Sequence, residues 1–209
     1  MSERAYIALL DSLHISEDDI AFFRDENAGL CGVEKSRVSQ FLLAQLTSAY
    51  KHRVLNSFAI TDVIQKLEGA GRDGLKVREE PFKHAPLKGF WKAHFFDASF
   101  LMKNLINEWG LEFKESKKFE ALCVRVIAEE EGHPSPRGWQ GRLAHELAIS
   151  GYESRAKDRK ITGEWVIFGK HENKNYYLCV AKHSASKDGD EEIYGGIKYL
   201  CRSEYPFLF

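Results

Sequence analysis

The sequence predicts an α+β fold, predominantly helical, with a small antiparallel β-sheet near the C-terminus. Three observations lead there. Apolar residues step by threes and fours through most of the chain before Ser154. Helix-start chemistry recurs ahead of those runs, as in Ser16 followed by Glu17, Asp18 and Asp19. Near the C-terminus the period switches: Glu164–Phe168 and Tyr176–Val180 are rich in β-branched and aromatic residues and flank a polar turn, His171–Asn175. With 209 residues, 44% apolar and 12% aromatic, the chain can bury a core. Its 29% of charged residues, balanced in sign, belongs to a globular rather than a disordered chain.

The elements follow in order. Ile7, Leu10 and Leu13 mark a short helix over Ser2–His14, and Ile20, Phe22 and Phe23 mark the helix opened by Ser16. Val38, Leu42, Leu46 and Ala49 mark a third helix. A fourth, capped by Thr61, runs through Val63, Ile64 and Leu67. Residues 1–74 therefore form a helical N-terminal region, closed by Gly69, Gly71 and Gly74. Residues 75–209 form the α+β region. Its central helix is expected over 87–109, because Leu87, Phe90, Trp91, His94, Ala98 and Leu101 fall on one helical stripe. Helices from Phe119 and over Gly138–Ser154 follow. Then come a hairpin over 163–183 and a last helix opened by Asp188 or Asp190, with an apolar Phe207-Leu208-Phe209 tail expected to dock.

Several chemistries are disfavoured. The glycines at 69, 71 and 74 spell GxGxxG, but a dinucleotide fingerprint must leave a strand and open a helix, and this string leaves a helix. His145-Glu146 fails as a zinc motif, because Ile149 stands where the second histidine must be. No cofactor motif is readable. Cys31, Cys123, Cys179 and Cys201 form no CxxC pair and read as small buried hydrophobes. No apolar run reaches membrane-spanning length and no signal pattern opens the chain, so no membrane partner and a cytoplasmic location are expected. The net charge of −1 hides a slight acidic excess in the first 80 residues and a slight basic excess after them. Arg155, Lys157, Arg159 and Lys160 form a basic concentration able to touch phosphates, or simply a solvated face.

The hairpin is the most informative place for chemistry. Pairing Phe168 with Cys179 sets Glu164 across from His183; a slip of one residue sets it across from Lys182. A carboxylate and an imidazole one phosphodiester apart can cleave RNA without a metal, one taking the 2′-hydroxyl proton and the other protonating the leaving oxygen. Cations steady the phosphorane. The plain alternative is an exposed cross-strand ion pair. His94 is a second candidate, either a hydrogen-bonded core histidine or a base on a cleft floor beside Lys92, Lys88 and His84.

The segment GEWVIFGKHENKNYYLCVAKH, from Gly163 to His183, resembles the terminal strands of the barnase/EndoU/colicin/RelE-like nuclease superfamily, especially its phage-associated members. That resemblance implies helices ahead of a curved antiparallel sheet and metal-independent RNA hydrolysis of a toxin or phage-defence type. It carries over Glu164 as base and His183 as acid, with Lys170, Lys182 or Arg155 at the phosphate. Tyr177, on the same hairpin, is a further expected substrate contact. RNA and a protein inhibitor or antitoxin are the partners it implies. Two other readings stay open: a non-catalytic protein-binding or regulatory module using the helical region, and an enzyme acting on a small molecule in a cleft lined by His94, Trp91 and Tyr177.

Overall fold

The computed structural model describes residues 1–26, 28–71, 73–95, 97, 106, 108–111, 116–147, 164–183 and 186–209. The expected α+β, mostly helical architecture is present: among the described residues there are seven α-helices and one four-stranded antiparallel sheet. The chain divides into two compact units, Met1–Asp97 with Gly163–Phe209, and Ala98–Thr162. The N-terminal helices and the sheet thus belong to one unit.

Four helices open the first unit: α1 (Glu3–Ser12), α2 (Glu17–Glu26), α3 (Gln40–His52) and α4 (Ser57–Leu67). Ser2 caps α1, accepting from the Ala5 N–H. Ser16 accepts from the Asp19 N–H, and Asp19 accepts in return from the Ser16 N–H, a reciprocal cap. The bond from Lys51, then those from Ser16, hold the Asp19 carboxyl at about 2. Thr61 does not cap α4. Asn56 does so, accepting from the Phe58 N–H, while Thr61 lies buried inside the helix and donates to the Phe58 carbonyl.

The largest difference from the sequence expectation concerns residues 87–109. Trp91–Phe95 is a strand, β2, and not part of a central helix. The stretch satisfies two periods at once: Trp91, Ala93 and Phe95 also alternate with Lys92 and His94, which is strand spacing. Gly89, at φ +107°, interrupts any helix running from Leu87. Pairing to two neighbours then decides the conformation. Ile106, Glu108 and Trp109 are helical; most of 96–107 lies outside the described residues.

The sheet runs in the order β1 (Glu79–Pro81), β2, β3 (Glu164–His171), β4 (Lys174–Lys182). The expected hairpin is β3–β4, turned by Glu172 and Asn173, both at positive φ. A bulge between Ile167 and Phe168 changes the register along it. Val166, Ile167 and Phe168 are fully buried, so both faces of β3 are covered there. Each such side chain contributes roughly 1.5–3 kcal/mol.

The outer edge of β4 is closed by α3. Gln45 both donates to the Val180 carbonyl (3.0 Å) and accepts from the Val180 N–H (2.8 Å), as a neighbouring strand would. Ser39 caps α3 and donates to the Leu178 carbonyl, and its own N–H reaches the Tyr177 carbonyl. This edge therefore offers few free backbone groups for pairing with another chain.

After β4 comes α7 (Lys187–Cys201), capped by Ser186, with Asp188 and Asp190 in its first turn. The C-terminal tail docks on β3 and β4: Phe207 lies 4.4 Å from the His171 ring and 4.9 Å from that of Tyr176. Leu208 occupies the space over Gly169, where a Cβ would approach its methyls to 2.6 Å. Cys179 and Cys201 are buried as expected, and burial pushes the Cys179 thiol up and that of Cys201 to about 12. Cys31, in a turn outside any helix or strand, is exposed and Cys123 is half-buried, so these two are not the buried hydrophobes expected.

In the second unit, α5 (Lys117–Gly132) and α6 (Gly138–His145) pack on a small core of Trp109, Leu122 and Val126. Ser116 caps α5 and donates to the Trp109 carbonyl. Glu146 accepts from Arg125, an ion pair rather than metal ligation. Residues 148–154 of the expected helix lie outside the described residues.

Candidate active site on the open sheet face

Residues paired across antiparallel strands point to the same face, and neighbours along a strand alternate. His94 pairs with Trp165, and Lys92 with Ile167 on one side and Glu80 on the other. These side chains therefore share one face. His183, just past the end of β4, joins them: its ring centroid lies 4.5 Å from Trp165 and 6.2 Å from His94. The Lys92 ammonium sits 4.0 Å from the Trp165 ring and 4.9 Å from the Phe82 ring, held by cation–π attraction. Trp165 and Phe82 are buried, Lys92 is half-buried, and both histidines reach solvent.

The Trp165 Nε1–H donates to His94 Nε2 at 3.2 Å. A nitrogen that accepts carries no proton, so His94 is held neutral with its hydrogen on Nδ1. Its pKa lies below the ordinary imidazole value, first because the packed surroundings strip water from it and then because Lys92 and His183 add like charge. His183 is also lowered, by desolvation and then by Lys92; Asp190 in the first turn of α7 opposes this. Desolvation lowers Lys92 as well, against Glu80 and Asp190. The site thus offers two neutral imidazoles and one ammonium, with carboxylates at its margin.

The expected Glu164–His183 pair is not assembled. The slipped register holds at that end of the hairpin, Glu164 pairing with Lys182 and with Phe95. That shift of one residue puts Glu164 on the opposite face from Trp165 and His183, where it is only 8% exposed. Lys182 remains exposed.

Tyr177 is fully buried, so it meets no substrate. Its hydroxyl donates to Glu68 at 2.6 Å, beside the bidentate Arg37–Glu68 pair at 2.9 and 2.6 Å. Burial, then the bond to Glu68, raises its pKa. Lys170 is paired with Glu79 at 2.5 Å and lies 4.0 Å over the Trp91 ring. Trp91 and Tyr177 both share the Phe168 face, so neither lines a cleft with His94. His84 is exposed in the turn after β1. Arg155, Lys157, Arg159 and Lys160 lie outside the described residues.

Sequence reasoning named His94 with Lys92, and His183 separately, and it missed Trp165 as the residue that joins them. The signal was faint: an indole on β3, an imidazole on β2 and another just past β4, visible only once the register is known. Among the described residues no three His, Cys, Asp or Glu side chains gather as a metal site requires. No helix among them is long and apolar enough to cross a membrane. Compared with protein-family models, curated proteins and solved structures, the chain matches none.

Proposed function

We propose that this chain is a metal-independent endoribonuclease whose reaction centre is the His94, His183 and Lys92 face. The observation that carries the reading is the convergence of these three nitrogen groups around Trp165, with the two imidazoles 6.2 Å apart and open to solvent. That separation matches the scale of one phosphodiester.

In this reading His183, neutral because its pKa is lowered, takes the proton of a ribose 2′-hydroxyl. The 2′-oxygen attacks the phosphorus and the bond to the 5′-oxygen breaks. Lys92 steadies the phosphorane charge and gives its proton to the leaving 5′-oxygen, which its lowered pKa favours. His94, held by Trp165, donates its Nδ1–H to a non-bridging oxygen. The products are a 2′,3′-cyclic phosphate and a 5′-hydroxyl. Water then returns the proton from His183 to Lys92.

The test is incubation of total RNA with the chain in EDTA, comparing wild type with His183→Ala, Lys92→Gln and Glu164→Gln. Wild type and Glu164→Gln are expected to yield fragments ending in cyclic phosphate, and the other two variants to leave the RNA whole. Intact RNA with the wild type would overturn the reading.

A further inference from the structure

A cavity of about 520 Å³ opens beside β4, between α3 and α7, and His183 forms part of its wall. Apolar surface comes from Phe41, Val180 and Ile193, with Lys182 at the exposed end. Its floor on α7 includes Gly196, and a Cβ built there would meet nothing within 4 Å. Glycine is the poorest helix former after proline, and packing gives no reason for one at this position. The space left open adjoins the imidazole assigned to the 2′-hydroxyl.

We infer that this cavity receives the nucleoside next to the scissile phosphate, so that the substrate is single-stranded RNA. The inference rests on the nuclease reading of the His183 face. A base seated against Phe41 and Ile193 has to leave any duplex, because a paired and stacked base offers no free face to a cleft. The apolar walls take its ring, Lys182 attends the adjacent backbone, and His183 is shared between the nucleoside and the reacting phosphate.

Two measurements test this. In the first, nucleoside 3′-monophosphates and inorganic phosphate are titrated into wild type and Gly196→Leu, with binding followed by calorimetry. The nucleotides should bind wild type about ten-fold or more tighter than phosphate, the scale of one base contact, and Gly196→Leu should erase that advantage. The variant should unfold at an equal or higher temperature, because leucine favours the helix and its first carbon enters open space. An advantage that is absent, or that survives the substitution, overturns the inference.

In the second, the wild-type chain is given one RNA strand, either alone or in a duplex. Faster cleavage of the free strand supports the inference, and equal rates overturn it. Nucleotide binding without any RNA cleavage would remove the catalytic reading and leave the nucleoside site standing. Cleavage with no nucleotide preference would do the reverse.

Discussion

The two faces of the sheet carry similar residue types and put them to different use. On one face Glu68, Arg37, Tyr177 and Asn175 form a network beneath the helices, bonded to one another. On the other, His94, His183 and Lys92 meet around an indole, and both imidazoles reach water. Burial separates them. A sealed polar group is costly without partners, so its hydrogen bonds are spent on structure, whereas a half-covered group keeps a proton or lone pair for a ligand and has its pKa shifted.

That contrast can be broken most directly at His183. His183→Ala is expected to lower RNA cleavage by about 10²–10⁴-fold, while urea unfolding moves by no more than about 0.5 kcal/mol. A large stability loss would place His183 with the structural face. On the sealed side, Glu68→Ala leaves the buried Arg37 guanidinium with only the Asn175 carbonyl and the more distant Glu34 carboxylate, and should destabilise the chain by about 3–5 kcal/mol in the same unfolding assay. Ser39→Ala, which removes both the α3 cap and the bond to the Leu178 carbonyl, should cost about 1–2 kcal/mol. Lys170→Ala, breaking an exposed pair with Glu79, should cost at most about 1 kcal/mol.

The same contrast has a pH signature. His94 and His183 have folded pKa values below 6.5, so the unfolded chain binds more protons as pH falls through 6.5. Their contribution to stability therefore declines from pH 6.5 down to the folded values. Glu68 is lowered from 4.5, so its contribution is complete above that pH and is lost as pH falls through the folded value. Two separable losses are expected in unfolding curves measured down the pH scale. Glu68→Gln should reduce only the more acidic one, to which Asp19 also contributes. Cleavage should keep its acidic limb below pH 6.5 and its basic limb below pH 10.5, the ordinary lysine value.

Much of the architecture was legible because local chemistry specifies it. Ser2 and Ser16 stand ahead of helices, and the Glu172-Asn173 turn joins two β-rich runs; the last helix is capped by Ser186, two residues ahead of the expected Asp188. What failed was Trp91–Phe95, where helical and strand periods coincide and only the partners on either side could choose. The site was half legible for the same reason. His94, His183 and Lys92 each stood out by type, but their convergence depends on a register in which a slip of one residue exchanges faces.

Sequence alone therefore determined the helical majority, the Ser16 cap, the hairpin and the set of groups able to do chemistry, since these follow from interactions within a few residues. Tertiary structure alone decided that β2 is a strand, that Glu164 is sealed away from His183, and that Trp165 joins two histidines and a lysine. Those outcomes depend on cross-strand pairing between residues about 70 positions apart, whose free energy no local segment contains.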